Sequence, residues 1–415
     1  MRLRPGTPLS ISVAFEGPAS PMLAARATMA DGLAQLEWQS AVIEACLRVS
    51  PIDYPPEPGL FAARTRSLDG LHGFLADSLP EAWGQALMRR QLAKHGASYD
   101  DLSGLDRLAL VGDQGRGALT FAPAGEVLDT PNTLDLDDLA EGARAILVGE
   151  DSSLSATLAR LGGASGGARP KVHLGLGEEG AASASYGEVA ADHAAWIVKF
   201  PAPGDPPDIG AIEASYAAMA GLAGLEMSPF RLLPAREGSG YFAARRFDRP
   251  SAGQRLHLVS LGGVLGVAPL LPSSYETLLR ATWAITRDVR AVKSAFRRMV
   301  FNVFACNRDD HTRQHSFLMS PDGEWSLAPA YDLTHSRGPG GEHYLDIDGE
   351  ARTIHRDRIY AVGLRHGLKE AEIVDLIDQV LHAVSRWGRL ADEFGVSRAS
   401  RQRVFDAIRE VDSQF

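Results

Sequence analysis

The sequence predicts an α+β protein with two lobes, a mixed α/β N-lobe that ends near residue 250 and a mostly α-helical C-lobe. Before residue 250, short strand-like runs alternate with helical runs. Beyond about residue 255, apolar residues recur almost throughout at the spacing of a helix. The exceptions are two strand-like runs, Ser316–Met319 and Trp325–Leu327, which flank a Pro-Asp-Gly turn and predict a hairpin.

The composition is that of a globular protein with a sizeable core. The chain has 415 residues, of which 45% are hydrophobic, which is enough for two or three domains. A formal net charge of −10 argues against a protein that binds nucleic acid through its whole surface. We expect no membrane span and no secretion signal, since no apolar run is long enough. Cys46 and Cys306 are expected to be thiols in a reducing cytoplasm.

The N-terminal half divides at changes of pattern. Residues 1–125 mix strands, such as the alternating run Leu9–Phe15, with helices, such as the one that follows the phrase SLPEAWG at residues 78–84. A single acidic helix is predicted from Leu134 to Leu161. We therefore divide the chain into an N-terminal subdomain (1–125), the rest of the N-lobe (126–252) and the helical C-lobe (253–415).

A glycine-rich segment follows the acidic helix. Four glycines precede Pro170, and a strand begins at Lys171. Such a segment exposes backbone N–H groups that can bind phosphate oxygens. It is not a Walker A loop, because no Gly-Lys-Ser/Thr opens a helix here. On its own, a flexible hairpin remains the alternative.

A lysine and a glutamate then occur in an order that suits phosphate binding. Lys199 lies in the compact apolar strand Trp196–Pro201, and Glu213 lies fourteen residues later, early in an amphipathic helix. In protein kinases a strand lysine contacts the nucleotide phosphates and pairs with a helix glutamate. The alternative is a lysine at a strand end that extends to solvent.

Three candidate catalytic groups flank the C-lobe hairpin, two in the loop before it and one beyond it. Phosphoryl transfer needs a carboxylate near the attacking hydroxyl, an amide five residues later, and a second carboxylate beyond a hairpin to hold magnesium. Asp309, Gln314 and Asp332 have this spacing. We predict that Asp309 is the base and that Gln314 and Asp332 bind metal. His311 is expected to orient the loop or contact nucleotide, and Asp310 to be a solvated or ion-paired neighbour.

The same stretch resembles the HipA family, the serine/threonine-kinase toxins of bacterial type II toxin–antitoxin systems. Residues 307–317 read NRDDHTRQHSF and residues 325–332 read WSLAPAYD, against a family loop of roughly N-x-D-D-H-x-K/R-N-H-S-F followed by W-x-L-A-P-A-Y-D. One position departs, Gln314 for asparagine, and its extra methylene moves the amide oxygen. The SLPEAWG phrase and the glycine segment also resemble HipA proteins.

The resemblance implies a bilobal protein-kinase-like fold of the HipA type, with ATP and Mg²⁺ as cofactors. It also implies that the glycine segment covers the nucleotide and that the backbone of the segment after residue 245 contacts adenine. The predicted ATP contacts are Gly166, Gly167, Ala168, Arg169, Lys171, Lys199, Arg246, Phe247, His311, Gln314, Tyr331 and Asp332. The family's autophosphorylated serine aligns with Ala164, and Ser165 is the neighbouring candidate.

The resemblance further implies a growth-arresting toxin restrained by a HipB-type helix-turn-helix antitoxin that supplies most of the contact with operator DNA. An aminoacyl-tRNA synthetase is the expected protein substrate. Two alternatives stay open at this point. Because Gln314 replaces asparagine, the chain could be an inactive antitoxin-binding co-repressor, and a kinase-like fold could also phosphorylate a small metabolite.

Overall fold

A computed structural model describes residues 5–124, 134–177, 182–184, 189–190 and 192–414 of the chain. The chain forms two compact units. The first contains Met1–Asp205, Ala243–Ala268 and Leu318–Glu324, and the second contains Pro206–Phe242, Pro269–Phe317 and Trp325–Phe415. In the described part of the chain, no helix has both the length and the apolar character that a membrane span requires.

The elements before residue 206 mix both kinds of secondary structure. They are β1 (Leu9–Val13), β2 (Met22–Ala30), β3 (Leu33–Trp38), α1 (Ser40–Glu44), β4 (Leu60–Ala62), α2 (Gly73–Ala76), α3 (Ala82–Lys94), α4 (Gly104–Val111), β5 (Leu119–Ala122), α5 (Leu136–Leu147), α6 (Ser155–Gly162), β6 (Lys171–Leu176), β7 (Ala182–Ala184) and β8 (Ala194–Lys199).

The elements after residue 206 are mostly helical. They are α7 (Ile209–Leu222), β9 (Phe230–Leu233), β10 (Tyr241–Arg245), β11 (His257–Ser260), α8 (Leu261–Leu265), β12 (Ser273–Ser274), α9 (Tyr275–Thr286), α10 (Val289–Phe304), β13 (Ser316–Met319), β14 (Trp325–Leu327), β15 (Leu345–Asp346), α11 (Arg356–Arg365), α12 (Glu370–Val384), α13 (Trp387–Glu393) and α14 (Arg398–Gln414).

The first unit is built on two sheets. An antiparallel sheet has the order β4-β3-β2-β1-β5 and buries alternate residues of β1, such as Ile11, which lies opposite Ala25 on one side and Phe121 on the other. This alternation is expected when one face of a sheet packs on a core. The other sheet runs β7-β6-β8-β10, and all six residues of β6 are buried.

The second unit is organised around α10. The helix begins after Asp288, whose side chain accepts the N–H of Arg290 at 2.8 Å, a cap that contributes about 1 kcal/mol. Its buried face includes Phe296, Met299 and Val303 at helical spacing and packs on α9 and α12. This packing fixes the C-terminal end of α10, after which the loop with Asp309 and Gln314 begins.

Several predicted elements are confirmed. The hairpin strands β13 and β14 have the predicted bounds, and α10 follows the predicted apolar pattern. The single helix predicted from Leu134 to Leu161 is wrong, because the chain breaks between α5 and α6, where Gly149 adopts a φ of 86°. The division into three parts stays a prediction, and its first boundary lies among residues 125–133, outside the described residues.

Candidate active site

The loop of residues 307–314 is fixed to the second unit at its first residue. Asn307 forms a parallel β-bridge with Ser336. Its side-chain amide also donates to Oδ1 of Asn302, a residue of α10, at 3.0 Å. Residues Thr312–Gln314 form one 3-10 turn before β13 begins. The loop is therefore held at both ends by regular structure, which limits the conformations open to its side chains.

Asp310 is the buried anchor of this loop. Its carboxylate has no exposed surface and accepts from Tyr275 Oη at 2.7 Å, His343 Nδ1 at 2.8 Å and the N–H of Tyr344 at 2.8 Å. Burial alone would raise the pKa of Asp310, but the charge of His343 and these hydrogen bonds lower it below its ordinary value. The expectation of a solvated aspartate was wrong, and the ion-paired alternative is confirmed.

Asp309, the predicted base, has the opposite environment. Its side chain is 48% exposed, and Oδ1 lies 3.9 Å from His311 Nε2. His311 itself accepts the N–H of Arg313 at Nδ1, 3.3 Å away, and its ring meets Tyr344 edge-on. These contacts confirm that His311 orients the loop, while its predicted contact with nucleotide stays a prediction. An exposed carboxylate on an anchored loop can approach a hydroxyl group from solvent.

Gln314 and Asp332, the two predicted metal ligands, meet in the structure. Gln314 Nε2 donates to Asp332 Oδ2 at 2.9 Å, across a sequence separation of eighteen residues. The hairpin brings them together, because the N–H of Ala328 bonds to Ser316 O at 2.9 Å and directs the chain back toward residue 332. Asp332 has a φ of 55°, an uncommon left-handed conformation that turns the chain after the hairpin.

This pair fits Mg²⁺ by its chemistry. Carboxylate and amide oxygens are hard ligands, and Mg²⁺ in phosphoryl-transfer sites is bound through one or two carboxylates together with phosphates and waters. In the described ranges no group of three or more His, Cys, Asp or Glu side chains is placed to hold a metal. A site made of Asp332, the Gln314 amide and phosphate oxygens does not require such a group.

The Tyr331 side chain is hydrogen-bonded to the end of the loop of residues 307–314 and to the start of β13. Its hydroxyl donates to Arg313 O at 2.5 Å and lies 2.6 Å from Ser316 Oγ. The segment before it is held by Arg298 of α10, whose guanidinium donates to Ala328 O at 2.8 Å. The predicted contact of Tyr331 with nucleotide stays a prediction, but the structure shows that the residue joins the two ends of the hairpin.

Sequence reasoning missed the residues that hold Asp310. Tyr275 lies in an ordinary amphipathic pattern, and His343 lies in a loop without periodicity, so neither carried a signal. Asn302 did carry one, since it is a polar residue on the buried face of α10 and must find a partner. That partner is Tyr275, which accepts from Asn302 Nδ2 at 2.8 Å and donates onward to Asp310.

In the first unit, the glycine segment is held by α3. The Glu81 carboxylate accepts the N–H of Gly167 at 2.5 Å, and the N–H of Trp83 donates to Gly167 O at 3.3 Å. A Cβ at Gly167 would lie 2.6 Å from Lys171 Nζ, so the lysine side chain folds against this glycine. Gly167 and Lys171, both predicted to contact phosphate, are thus brought together.

Ser165, the tentative autophosphorylation residue, is fully buried in this arrangement. Its side chain has no exposed surface, and its hydroxyl finds no hydrogen-bond partner within the described residues. The backbone is engaged instead, since Ser165 O accepts the N–H of Glu81 at 3.2 Å. Phosphorylation at this position would first require the segment to move outward, so the assignment stays a prediction.

The two lysines predicted to bind phosphate are cross-strand neighbours. Lys171 at the start of β6 lies opposite Lys199 at the end of β8 in an antiparallel ladder, which places both side chains on one face of the sheet. Arg169 forms an ion pair with Asp205 at 3.1 Å. Glu213, predicted to pair with Lys199, lies in α7 of the second unit and is 3% exposed. Their pairing stays a prediction.

Arg246 belongs to a buried charged cluster. Its guanidinium binds both oxygens of Asp248, at 3.0 and 2.8 Å, and Asp248 also accepts from Arg249 at 2.9 Å and from the N–H of Gly117 at 2.8 Å. Burial would raise the pKa of Asp248, but the two arginines hold it well below the ordinary value. Asp248 therefore binds two arginines and braces the segment.

The backbone of Arg246 is also occupied. Its N–H donates to Ala195 O at 2.8 Å, and its carbonyl accepts the N–H of Arg249 at 3.2 Å. The predicted adenine contact at Arg246 must therefore compete with these two hydrogen bonds. The contact predicted for Phe247 stays untested.

Comparison with protein families matches both halves of the chain. Residues 163–388 match the HipA-like C-terminal domain, and residues 22–122 match the HipA N-terminal domain. The first of these models alone covers more than half of the 415 residues. The chain belongs to the HipA family. A search of curated protein sequences finds no match.

Solved structures agree with this HipA assignment. The HipA toxin of Shewanella oneidensis MR-1, solved with HipB and operator DNA, matches with a TM-score of 0.71 and 17% identity, over 98% of this chain and 96% of its own. At that identity the match shows the fold, and it confirms the predicted bilobal α+β HipA-like fold. The Helicobacter pylori proinflammatory kinase CtkA covers 53% of this chain and 94% of its own, with 14% identity and a TM-score of 0.34, too low to support an argument.

Within this HipA chain, several of the predicted site residues form one group in each unit. Asp309, His311, Gln314, Tyr331 and Asp332 lie on or beside one anchored loop of the second unit. In the first unit, Gly167, Lys171 and Lys199 lie on or beside β6. Each group taken by itself has the donor chemistry that its predicted role requires.

Proposed function

We propose that this HipA-family chain is a serine/threonine protein kinase that transfers the γ-phosphate of ATP to a protein hydroxyl and to itself. The single observation that carries the proposal is the meeting of Gln314 and Asp332 at 2.9 Å beside a loop that exposes Asp309 and buries Asp310. Kinase chemistry needs one carboxylate free to take a proton and a second held with an amide for metal. In support of this role, the second unit places a half-exposed carboxylate, Asp309, and a carboxylate hydrogen-bonded to an amide, Asp332, on nearby segments.

The chain's own residues would act as follows. Asp309 accepts the proton of the attacking hydroxyl on a carboxylate oxygen while that hydroxyl oxygen bonds to phosphorus and ADP leaves. Asp310, held by three hydrogen bonds, keeps the loop fixed so that its neighbour is correctly placed. Asp332 and the Gln314 amide would hold Mg²⁺, which supplies positive charge against the phosphate oxygens.

The first unit supplies groups suited to the phosphates of ATP. Lys171 and Lys199 lie on one face of the sheet, and lysine ammonium groups bind phosphate oxygens. Lys171 and Lys199 are therefore proposed phosphate ligands. Gly166, Gly167, Ala168 and Arg169 would cover the nucleotide, although Gly167 must first exchange its bond to Glu81 for one to phosphate.

The proposed biological role is that of the toxin in a type II toxin–antitoxin module. The structurally similar Shewanella HipA was solved with HipB and operator DNA, which supports a HipB-type helix-turn-helix antitoxin as the partner of this chain. The net charge of −10 suits a protein that leaves most DNA contact to its partner. We propose an aminoacyl-tRNA synthetase as the substrate, as the family resemblance implies.

Phosphoryl transfer tests the proposal directly. The chain is incubated with γ-labelled ATP and magnesium, alone and with a panel of aminoacyl-tRNA synthetases, and products are identified by intact mass. Asp309→Asn is expected to lower transfer by about 10²–10⁴-fold, the usual contribution of a general base. Asp322→Asn, in the exposed hairpin turn, is the matched control and should retain the wild-type rate. Equal rates in wild type and Asp309→Asn would refute the proposal.

A second function is favoured by one observation. Gln314 presents its N–H, not its oxygen, to Asp332. If that arrangement persists with nucleotide, metal binding would be weak and the chain would act as an antitoxin-binding co-repressor. Gln314→Asn separates the two functions, since the shorter amide should raise transfer if metal binding limits it. ATP binding without transfer in both wild type and Gln314→Asn would favour the co-repressor.

A further inference from the structure

A pocket in the second unit lies outside the residues assigned above. It has a volume of about 620 Å³ and is lined by three arginines from segments far apart in sequence, Arg308, Arg337 and Arg403. Arg308 directly precedes Asp309, Arg337 lies after Asp332, and Arg403 lies on α14. Since distant segments converge here, the basic wall is a product of the fold rather than of a local run of charge.

In the part of the chain that the structure describes, the three guanidinium groups have no acidic partners. Among the described residues, no carboxylate lies within 4.0 Å of Arg308, Arg337 or Arg403. Arg403 donates to Ser400 Oγ at 2.9 Å, while the buried Arg308 Nε finds no hydrogen-bond acceptor in the residues that the structure describes. A buried donor left unsatisfied destabilises the folded chain, and an anion in the pocket would supply the missing acceptor.

The arginines act together on one histidine. His335 also lines the pocket, and its pKa is lowered to about 4, first by burial and then by the charges of Arg337, Arg403 and Arg308. At neutral pH this imidazole is uncharged, so it adds no repulsion and can share a proton with a ligand oxygen. The lining also includes Asp406 and Glu410, which follow Arg403 on α14 at helical spacing and so lie on the same face of that helix, beside the arginine.

We propose that this pocket binds a phosphate monoester, carried on a phosphorylated serine or threonine of a peptide segment. A phosphate group offers three oxygens and a charge near −2, which suits three guanidinium groups better than a carboxylate does. The cavity is far larger than one phosphate ion, so it has room for the residues around the phosphorylated side chain. Asp406 and Glu410 would then favour basic residues beside it.

Occupation of the pocket would be transmitted to the loop of residues 307–314. The N–H of Arg308 donates to Ser336 O at 3.3 Å, and the N–H of Ser336 donates to Cys306 O at 3.0 Å, so one pocket wall and the start of the loop share a short ladder. Gly338 packs on Arg308 so closely that an added Cβ would lie 2.8 Å from Arg308 Cβ. A ligand that restricts the conformation of Arg308 would therefore also restrict that of the adjacent Asp309. Only this effect on catalysis rests on the proposed kinase function.

Calorimetric titration of the full chain tests the site. The ligands are a short peptide with one phosphoserine flanked by lysines, its unphosphorylated counterpart, and inorganic phosphate at matched ionic strength. The phosphopeptide is expected to bind most tightly. Arg403→Gln and Arg337→Gln should each raise its Kd about tenfold, which corresponds to about 1.4 kcal/mol. Arg409→Gln, on the same helix but outside the pocket, should leave the Kd unchanged.

The outcomes distinguish a phosphopeptide from free phosphate as the ligand, and they test the binding site separately from the proposed kinase function. Tighter binding of free phosphate than of phosphopeptide would overturn the peptide assignment. Phosphopeptide binding that survives both arginine substitutions, or no saturable binding, would overturn the site itself. In a parallel transfer assay, phosphopeptide should raise the wild-type rate but not that of Arg403→Gln. If no transfer occurs at all, the titrations still decide the site, and only the proposed function fails.

Discussion

The loop of residues 307–314 in the second unit and the glycine segment of residues 163–170 in the first are held in different ways. The loop is fixed from beneath by a fully buried carboxylate, Asp310, which takes three hydrogen bonds from outside the loop. The glycine segment has backbone hydrogen bonds, an ion pair between Arg169 and Asp205, and the carboxylate of Glu81, which lies at the start of a neighbouring helix and binds a main-chain N–H.

This difference indicates that the loop of residues 307–314 stays in one conformation, whereas the glycine segment can exchange hydrogen-bond partners. Removing a buried, multiply bonded ion leaves several groups unsatisfied, so the loop has one strongly preferred state. The carboxylate on the Gly167 N–H makes one charge-assisted hydrogen bond there, and another anion can replace it. The predictions below remove these contacts in turn, from the largest expected effect to the smallest.

The largest effect is expected for Asp310→Asn. The new amide would turn an N–H₂ group toward Tyr275 or His343, both of which donate to the carboxylate now. Breaking a buried ion pair by removing one partner costs about 3–5 kcal/mol. Urea unfolding followed by circular dichroism should show a clearly lower midpoint, and hydrogen exchange in residues 307–314 should become faster.

Asp309→Asn is the matched control for that loss. Its side chain is 48% exposed, so the free energy of unfolding should change by no more than about 0.5 kcal/mol. Of the two neighbouring aspartates, Asp310 should therefore affect mainly the stability of the fold, and Asp309 mainly the rate of transfer. Similar midpoints for the two variants would show that Asp310 does not anchor the loop.

The next effect concerns His315, which follows the loop and is 1% exposed. Burial, and then the charge of Arg298, lower its pKa to about 3, so the folded state holds a neutral ring. The unfolded chain, with a pKa near 6.5, takes up a proton below that pH. The stability from the neutral ring is therefore fully present above pH 6.5 and is lost as pH falls toward 3, by up to about 1.4 kcal/mol per pH unit.

His315→Gln should remove this contribution. The difference in unfolding free energy between wild type and variant should shrink by about 2 kcal/mol when the pH is lowered from 7 to 5. Urea titrations at a series of pH values measure this difference, with His95→Gln, an exposed position, as the control. Parallel pH curves for wild type and His315→Gln would contradict the buried neutral ring.

The contacts that could be predicted from the sequence are those between residues close together along the chain. Gln314 and Asp332 were predictable because a short hairpin of recognisable turn chemistry sets their separation. The anchoring of Asp310 was not, because Tyr275 lies 35 residues before it and Tyr344 lies 34 residues after it. Partners that distant come together only when the helices pack, and no local pattern marks them.

The same reasoning explains the errors in secondary structure. Strand β2, Met22–Ala30, went unnoticed because its four alanines resemble a helix, although buried and exposed positions alternate over part of it. Gly149 was a local indication of the break between α5 and α6. The prediction gave more weight to the helical spacing of the apolar residues on both sides of it. Elements with strong alternation and turn residues, such as β13 and β14, were placed correctly.

The smallest effect is expected at Glu81, and it completes the comparison between the two segments. Glu81→Gln keeps an acceptor for the N–H of Gly167 but removes the charge that strengthens the bond, at a cost of about 1 kcal/mol. Hydrogen exchange at Gly167 should become about fivefold faster, while exchange in residues 307–314 stays unchanged. Glu141→Gln, an exposed position on α5, is the control. Because the N–H of Gly167 would then be released more easily, ATP should bind Glu81→Gln at least as tightly as wild type. Weaker ATP binding would instead mean that Glu81 shapes the segment for phosphate rather than occupying its place.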